Sequence, residues 1–328
     1  MFEYLMFILG LALLIKGASW LVDGSSSLAK KIGVPTFIIG LTVVTLGTTL
    51  PEFFVSIIAT LNGEGEIVLG NIIGSNLTNI LLVFGLAAVI TKIRIKVHAS
   101  TTLKEVPFAL LATIVLFIIT NKTLINGDES FYIHRADGIL MILFLAIFIY
   151  YVVELARENE EVFKSKFRGG KIKVRSYTER YTQYLVILAG VVSLYLGSRW
   201  VVSSVGQIAT DFGVSTFVIS ATTLAIGTSL PELFTAITAA LKNNVDIAVG
   251  NVVGANIFNV FWALGVSAVI APLRVPSFIL LDIIFLVFVT FLLFLFLFFG
   301  RRDEFEKWQG ISFVFIYVIY VLFLFLRG

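Results

Sequence analysis

The sequence predicts an all-α integral membrane protein with ten transmembrane helices, arranged as two inverted five-helix repeats. Three observations lead to this prediction: an apolar composition, ten long apolar runs and an internal repeat. Of the 328 residues, 58% are hydrophobic and only 14% are charged, and the mean hydropathy is +1.00. A soluble domain carries about 25% charged residues, so lipid must surround much of this chain.

Ten apolar runs are long enough to cross a membrane. A helix needs about 20 residues to span the hydrocarbon core, and helices are required because lipid offers no partner for backbone polar groups. The runs lie at 3–29, 36–61, 66–90, 104–120, 132–155, 181–209, 215–241, 246–270, 277–299 and 308–326. The first run has no charged segment before it, so we interpret it as a span and not as a signal peptide.

Basic residues are distributed unequally between the two sides of the predicted membrane. With the N-terminus outside, 18 of the 24 Lys and Arg residues fall on the inner side and 4 on the outer side, while Lys16 and Arg199 lie within spans. Since inner loops are enriched in basic residues, we expect a multi-pass protein of the cell membrane with both termini outside. The same asymmetry accounts for the pI near 9.0, so no nucleic-acid partner is expected.

An internal repeat relates the two halves of the chain. Residues 36–90 align with 216–270 without a gap, and 23 of the 55 aligned positions are identical, including Gly, Pro, Glu and Asn positions. Each half has five spans, an odd number, so the second half enters the membrane from the opposite side, as in many secondary transporters. We expect a first repeat at 1–155, a cytoplasmic connecting loop at 156–180 and a second repeat at 181–328.

One glutamate lies at the same place in each half. Glu52 is far from both ends of the run 36–61, and Glu232 repeats this position in the run 215–241. A carboxylate in the hydrocarbon zone costs about 3 kcal/mol or more, so a matched pair indicates a function. A protonated glutamate that bonds between helices is the structural alternative.

Proline and hydroxyl residues surround each glutamate. Pro51 and Pro231 directly precede the glutamates, and a proline inside a helix removes one backbone hydrogen bond and frees a carbonyl group. The neighbouring hydroxyl residues are Thr48, Thr49, Thr228 and Ser229. An interrupted helix here exposes carbonyl, hydroxyl and carboxylate oxygens, which predicts a site for a hard cation such as calcium or sodium. Softer metals prefer His or Cys, and the chain has no cysteine.

The following span of each half supplies further polar residues. A GxxxG pattern at 70–74 is typical of close helix packing. Ser75 and Asn79 are four residues apart and share a helix face, so both side chains can point at Glu52. The counterparts in the second half are Ala255 and Asn259. The second half therefore lacks one hydroxyl group.

These segments resemble the two alpha-repeat signatures of the sodium/calcium exchangers, within the calcium:cation antiporter superfamily. The resemblance is carried by GTTLPE at 47–52 and GTSLPE at 227–232, and by the stretches 70–79 and 250–259 that follow. It covers essentially the whole chain, and the short central loop is similar to that of the prokaryotic members. The resemblance implies a secondary active antiporter, not an enzyme, that exchanges calcium for sodium by alternating access.

The resemblance also implies the residues that bind each ion. Calcium would be bound by Glu52, Glu232, Thr48 and Thr228. Sodium would be bound by Glu52, Glu232, Thr45, Thr49, Ser75, Ala225 and Ser229. Asn79 and Asn259 would line a middle position, helices 2, 3, 7 and 8 would be discontinuous, and Pro51 and Pro231 would mark the breaks beside the glutamates. No cofactor and no obligatory protein partner is expected besides the two ions and the lipid bilayer.

Some family members have a serine where Ala255 stands and an aspartate where Asn259 stands. These two departures bear on the number of sodium ions and on whether protons or potassium take part. Calcium/proton exchange at the same two glutamates is the second-ranked alternative, because the proton-coupled branch of the superfamily carries a different signature around its glutamate. A cation channel is less expected, because a channel normally surrounds its pore with symmetric subunits. A membrane enzyme is disfavoured, because the spans contain no paired catalytic set.

Overall fold

The protein is a bundle of helices, seen in a computed structural model that describes residues 2–31, 45–90, 95–96, 105–122, 131–166, 178–241, 245–298 and 304–327. Part of the second predicted span, at 36–44, lies outside the described residues, as does the middle of the predicted connecting loop, at 167–177. Most of the predicted inner loops at 91–104 and 299–307 also lie outside them.

Seven α-helices and one π-helical segment make up the described part of the first half. The helices are α1 (Phe2–Lys31), α2 (Thr45–Thr48), α3 (Leu50–Leu61), α4 (Gly65–Leu77), α5 (Gly85–Ile90), α6 (Val106–Thr120) and α7 (Arg135–Lys166). The π-helical segment Thr78–Phe84 joins α4 to α5.

The described part of the second half contains eight α-helices, two π-helical segments and one 3-10 turn. Its helices are α8 (Thr178–Phe212), α9 (Thr216–Ile219), α10 (Ala225–Thr228), α11 (Leu230–Leu241), α12 (Val245–Phe258), α13 (Gly265–Ile270), α14 (Leu280–Phe298) and α15 (Lys307–Arg327). The π-helical segment Ser220–Leu224 joins α9 to α10, and Asn259–Leu264 joins α12 to α13. A 3-10 turn, Ser277–Ile279, precedes α14.

Seven of the described helical segments are long and apolar enough to cross a membrane. They are Phe2–Trp20, Gly65–Ile90, Arg135–Glu154, Tyr184–Phe212, Val249–Ile270, Ser277–Leu297 and Lys307–Arg327. Thr216–Thr228 and Leu230–Ile237 form an eighth if they are taken together across a bend of 43°. The second and fourth predicted spans contain the shorter apolar helices α3 and α6, and the second also contains α2. The protein is therefore an integral membrane protein with several spans.

Four helices were expected to be discontinuous, and the structure interrupts two of them. In helix 2 one residue separates α2 from α3, and in helix 7 one residue separates α10 from α11. The prediction of discontinuous helices 3 and 8 is wrong, because each helix continues through its π-helical segment without a break. A π-helical turn keeps backbone hydrogen bonds, to the fifth residue instead of the fourth, so these helices widen where they were expected to open.

Two helices form the centre of the bundle. In Gly65–Ile90 and Val249–Ile270, 83% and 78% of an apolar 18-residue stretch is buried inside the protein. The corresponding share is 28–39% in the other five candidate spans. The outer helices instead expose large apolar side chains such as Ile147, Leu188 and Phe288. An exposed apolar surface of this extent indicates contact with lipid, so the two central helices are the ones that protein shields from the bilayer.

The first helices of the two halves, α1 and α8, contact each other at glycines. A Cβ atom added to Gly10 would lie 2.9 Å from the carbonyl oxygen of Gly197, and one added to Gly17 would lie 2.9 Å from that of Gly190. A shift of 180 residues converts one contact into the other. Because small residues let helix backbones approach closely, α1 and α8 form a tight pair.

Glycines also bring the two halves together at the centre. A Cβ atom added to Gly70 would lie 3.0 Å from the carbonyl oxygen of Phe217, and one added to Gly74 would lie 2.6 Å from Cα of Ala221. The prediction of close helix packing from the GxxxG pattern is therefore confirmed. The contact places α4 of the first half against the start of the interrupted helix of the second half.

Two short strand pairs connect loops of the two halves. β1 (Ile95–Lys96) pairs antiparallel with β4 (Glu304–Phe305), and β2 (Tyr132–Ile133) pairs antiparallel with β3 (Leu273–Arg274). The all-α prediction did not include these strands. Each strand is only two residues long, too short to show an alternating pattern in the sequence.

Candidate cation site

Each half contains a helix that is interrupted by a single residue near the centre of the bundle. Thr49 separates α2 from α3 with φ −80° and ψ −4°, and Ser229 separates α10 from α11 with φ −80° and ψ 4°. Pro51 and Pro231 follow two residues later and have no backbone N–H to continue the helical hydrogen bonds. The matching torsion angles indicate that the local sequence determines the interruption in both halves.

Glu52 and Glu232 lie in the first turns of α3 and α11, directly after the interruptions, and both are fully buried. Ser229, three residues before Glu232, donates a hydrogen bond to Glu52 at 3.3 Å, so the starts of α3 and α11 meet at the centre. Within the described part of the chain, no Lys or Arg forms an ion pair with either glutamate. Because a buried charge without a partner is costly, the pair requires compensation by cations or protons.

Hydroxyl groups from both halves surround the Glu52 carboxyl group. Ser229 Oγ donates a hydrogen bond to Glu52 Oε1 at 3.3 Å. The hydroxyls of Ser75 and Thr228 also lie against this carboxyl group and are 3.4 Å apart. Asn71 Nδ2 donates to the main-chain oxygen of Glu52 at 3.2 Å. Oε2 of Glu52 has no hydrogen-bond partner among the described residues.

Glu232 is held less closely. Neither of its carboxylate oxygens accepts a hydrogen bond from the described residues. The Thr48 hydroxyl lies near this carboxyl group, but it faces the carbonyl oxygen of Thr45 at 3.2 Å and Oδ1 of Asn251 at 3.3 Å. Nδ2 of Asn251 also has no partner in the described part of the chain. The second carboxylate is therefore the less constrained of the two.

The remaining hydroxyls predicted to bind ions contact their own helices. Thr49 Oγ1 donates to the carbonyl oxygen of Thr45 at 2.7 Å, and Thr228 Oγ1 lies 3.3 Å from the carbonyl oxygen of Ala225. Thr228 Oγ1 also lies 3.3 Å from Oδ1 of Asn71. Since a hydroxyl that donates one hydrogen bond still has lone pairs, these oxygens remain able to bind a cation.

Asn79 and Asn259 lie at the beginning of two π-helical segments and are fully buried. The segment that contains Asn79 packs against α11, and the segment that begins at Asn259 packs against α3. Each side chain donates through Nδ2 to an asparagine of the other half, and its Oδ1 has no partner among the described residues. Both amide oxygens are thus left on elements that contact the glutamate helices.

The residue types in this region fit a hard cation. Around the two glutamates, the buried side-chain oxygens without a described partner are Glu52 Oε2, Glu232 Oε1, Glu232 Oε2, Asn79 Oδ1 and Asn259 Oδ1. Carboxylate and amide oxygens are ligands that calcium prefers. Among the described residues, no three His, Cys, Asp or Glu side chains are placed so that they could hold one metal ion together. This region therefore offers an ion two carboxylates supplemented by neutral oxygens.

Four buried asparagines that support this region were not among the predicted site residues. They are Asn71, Asn76, Asn251 and Asn256. Each is identical across the internal repeat, which is the signal that singled out the glutamates. Their neutral side chains carried no comparable cost in lipid, so their role became visible only from the hydrogen bonds.

A further buried carboxylate lies away from this region. Asp282, in the first turn of α14, forms an ion pair with Arg327 at 2.8 Å and accepts a hydrogen bond from Tyr320 at 3.2 Å. It was not singled out from the sequence, because it lies near the end of its span. Its charge is compensated by an arginine, whereas Glu52 and Glu232 have no described cationic partner.

Known proteins match this chain over nearly its whole length. A family model described as sodium/calcium exchanger protein matches residues 2–154 and 182–326. The inner membrane protein YrbG of Escherichia coli is 36% identical, over 81% of this chain and 79% of that protein. Sodium/calcium exchanger MaX1 of Methanosarcina acetivorans is 30% identical, over 98% of each chain.

A solved structure shows the same fold. The sodium-calcium exchanger NCX_Mj, soaked with sodium and strontium, matches with a TM-score of 0.64 and 30% sequence identity, over 98% of this chain and 97% of that chain. The family model, the relatives and the fold agree with the two glutamate motifs on which the resemblance rested. This chain belongs to the sodium/calcium exchanger family.

Proposed function

We propose that this protein is a secondary active antiporter that exchanges calcium for sodium across the cell membrane by alternating access. The pair of glutamates carries the proposal: Glu52 and Glu232 are fully buried, and three of their four carboxylate oxygens have no hydrogen-bond partner among the described residues. Family membership supports an antiporter. The names of MaX1 and NCX_Mj support sodium and calcium as its ions.

Competition for one set of oxygens couples the two ion flows. Two carboxylates that lie close together in a medium of low dielectric constant disfavour joint ionisation. One calcium ion compensates both charges, and so do two or more sodium ions. Because both kinds of ion need the same carboxylates, they occupy the region alternately. The protein then changes access only when the charges are compensated, which links calcium transport to sodium transport in the opposite direction.

The proposed ligands follow from the arrangement of oxygens around the glutamates. Calcium is bound by Glu52, Glu232, Thr48 and Thr228. Sodium is bound by Glu52, Glu232, Thr45, Thr49, Ser75, Ala225 and Ser229. Asn79 and Asn259 line the middle position. The hydrogen bond of Ser229 with Glu52, and the 3.4 Å separation of the Ser75 and Thr228 hydroxyls from each other, support this assignment.

The proposed architecture is ten transmembrane helices in two inverted repeats, 1–155 and 181–328, with both termini outside and the loop 156–180 in the cytoplasm. The two matches of the family model, at 2–154 and 182–326, support two repeats. The strand pairs support inversion, because each joins the loop after the third or eighth predicted span to a loop in the opposite half. The glycine contacts between α1 and α8 also occur in pairs related by the repeat.

The helices that switch access are proposed to be α1 and α8. α1 reaches the interrupted helix, since Leu11 Cδ1 lies 2.6 Å from a Cβ atom added to Gly227. The glycine contacts let α1 and α8 slide as one unit past the buried centre. The chain has no native cysteine, so a disulfide engineered between α1 and α3 is a clean test. It should stop exchange, and undiminished exchange would contradict sliding.

Calcium uptake into proteoliposomes tests the counter-ion. The purified protein is reconstituted, and uptake of radioactive calcium is measured with an outward gradient of sodium, potassium or protons. An outward sodium gradient is expected to drive uptake and a potassium gradient is not. Uptake that follows the pH gradient and ignores sodium would establish calcium/proton exchange instead. Calcium flux without any counter-ion dependence would indicate a channel.

Substitutions of the two glutamates test the site. Glu52→Gln and Glu232→Gln each remove one charge with little change in shape. Each is expected to lower exchange about 100-fold, because a buried cation that loses one charged partner is left uncompensated at a cost of about 3 kcal/mol. Glu64→Gln is the matched control, since Glu64 is an exposed carboxylate between α3 and α4. Normal exchange by both site variants would place the ion site elsewhere.

A further inference from the structure

We propose that Asn76 and Asn256 are positioning residues that turn the amide oxygens of Asn79 and Asn259 toward the cation site. The inference rests on the function proposed above for that site. These four residues, called the asparagine quartet, lie where α4 and α12 pass into their π-helical segments. All four are at most 2% exposed, so solvent does not decide how their amides are oriented.

The hydrogen bonds described for the quartet all cross between the two halves. Asn79 Nδ2 donates to Asn256 Oδ1 at 3.2 Å, and Asn259 Nδ2 donates to Asn76 Oδ1 at 2.9 Å. Asn256 Nδ2 donates to the main-chain oxygen of Asn76 at 3.3 Å, and Asn76 Nδ2 donates to that of Asn256 at 3.4 Å. A shift of 180 residues converts each bond into its counterpart.

These bonds fix the side-chain amides of Asn79 and Asn259 in one of their two possible orientations. A side-chain amide has an NH2 group that donates and an oxygen that accepts. Because both NH2 groups are bonded to the quartet, both oxygens point away from it, buried and without a partner among the described residues. An amide rotated by half a turn would present NH2 hydrogens, which repel a cation. The orientation therefore decides whether the side chain is a ligand.

The elements that carry these amides contact the glutamate helices. The π-helical segment of Asn79 packs against α11, which carries Glu232, and that of Asn259 packs against α3, which carries Glu52. π-helical turns occur often at functional sites. Asn76 lies one helical turn before Asn79, and Asn256 lies one turn before Asn259. Asn76 accepts an amide hydrogen from Asn259, and Asn256 accepts one from Asn79. They fix the ligands without offering an unpartnered oxygen of their own.

Leucine substitutions remove the hydrogen bonds at nearly constant side-chain size. The half-saturating calcium concentration is measured in proteoliposomes, and calcium binding is measured by titration of the detergent-solubilised protein. Asn76→Leu and Asn256→Leu are each expected to raise the half-saturating calcium concentration about tenfold, the scale found when a residue that holds a metal ligand is removed. The maximal exchange rate should change less than this concentration does.

Double-mutant cycles separate positioning from a general structural role. Asn76→Leu combined with Asn259→Leu is expected to bind calcium no more weakly than Asn259→Leu alone, because Asn76 acts through Asn259. Asn76→Leu combined with Asn79→Leu is expected to multiply the two effects, because these side chains share a helix but do not bond each other. Multiplying effects in the cross-half pair, or coupling in the same-helix pair, would overturn the proposal.

Two controls keep the test decisive. Size-exclusion chromatography and melting curves show whether each variant folds, and alanine replaces leucine in the same cycles if a leucine variant does not. Wild-type calcium binding by Asn76→Ala and Asn256→Ala would overturn the proposal. If Glu52→Gln and Glu232→Gln lose exchange while the cross-half coupling is absent, only this inference fails. If both glutamine variants exchange normally, the proposed function of the site fails as well.

Discussion

The two glutamates occupy the same place in the two halves, but the structure holds them differently. Glu52 accepts a hydrogen bond from Ser229, and Asn71 bonds its main-chain oxygen. Glu232 accepts none from the described residues, and Nδ2 of Asn251, the counterpart of Asn71, is also unpartnered there. Hydrogen bonds from the described residues therefore orient the first carboxylate, whereas none orients the second.

Small differences between the halves account for this asymmetry. The relevant pairs of equivalent residues are Ser56 and Ala236, Ser75 and Ala255, and Thr49 and Ser229. In the first two pairs only the first half has a hydroxyl group. In the third pair both halves have one, but Thr49 bonds its own helix while Ser229 reaches across to Glu52. The repeat thus preserves the charges and the helix interruptions, while single hydroxyl groups determine how firmly each carboxylate is held.

Removing the crossing hydroxyl should have the largest effect on this asymmetry. Ser229→Ala deletes the hydrogen bond to Glu52, and Thr49→Val deletes the equivalent hydroxyl that bonds only its own helix. Ser229→Ala is expected to weaken calcium binding about tenfold, since a hydrogen bond to a charged group contributes about 1.5–3 kcal/mol. Thr49→Val should weaken it about twofold, because it removes no hydrogen bond to a carboxylate.

Isothermal titration with calcium in sodium-free buffer checks this prediction, because sodium then does not compete for the same residues. The two variants serve as controls for each other, since each loses one hydroxyl at the same place in its half. Equal losses of calcium affinity would show that the crossing hydrogen bond does not matter. A larger loss for Thr49→Val would reverse the comparison and make the first half the one that depends on its own hydroxyl.

The asymmetry shows which features the sequence could predict. The glutamates and the interrupted helices depend on local features, namely a charge inside an apolar run and a proline beside it. Their burial and the interruptions at Thr49 and Ser229 follow from those features. The seven-residue segment Thr78–Phe84 continues directly from α4, and its sequence is that of an ordinary apolar helix. Its π-helical geometry was therefore not predictable from helix propensity.

Contacts between distant parts of the chain could not be predicted. The bonds of the asparagine quartet join residues that are 177 to 183 positions apart, and they depend on how the two halves pack. The ion pair of Asp282 with Arg327 joins residues 45 positions apart. Whether a carboxylate near the end of a span is solvated or paired depends on the tertiary structure, so its position in the sequence did not reveal its burial.

Restoring the missing hydroxyl beside Asn251 should have a smaller effect, on stability. Ser56 Oγ accepts a hydrogen bond from Asn71 Nδ2 at 3.3 Å, and Ala236 occupies the equivalent place in the second half. Ala236→Ser is expected to raise the free energy of unfolding by about 1 kcal/mol, the usual contribution of one hydrogen bond. Ser56→Ala should lower it by about the same amount.

Melting curves in detergent, recorded for both variants and the wild type, check this pair. The double variant, with both changes, should melt close to the wild type, because one hydrogen bond is exchanged for another. If Ala236→Ser lowers the melting temperature, the space beside Asn251 does not admit a hydroxyl. The unpartnered nitrogen would then be a fixed feature of the second half and not the result of one missing oxygen.

The smallest effect is expected at Ala255, where the second half lacks the hydroxyl that Ser75 places against Glu52. Ala255→Ser adds one oxygen near Glu232. It should lower the sodium concentration that half-inhibits calcium uptake about threefold, since one additional oxygen contact is worth about 0.5–1 kcal/mol. Ser75→Ala should raise that concentration by a similar factor. Opposite shifts would mean that each hydroxyl contributes to its own half. If only Ser75→Ala has an effect, the sodium positions in the two halves are themselves asymmetric. The missing hydroxyl at Ala255 would then not explain why the Glu232 carboxylate lacks hydrogen-bond partners among the described residues.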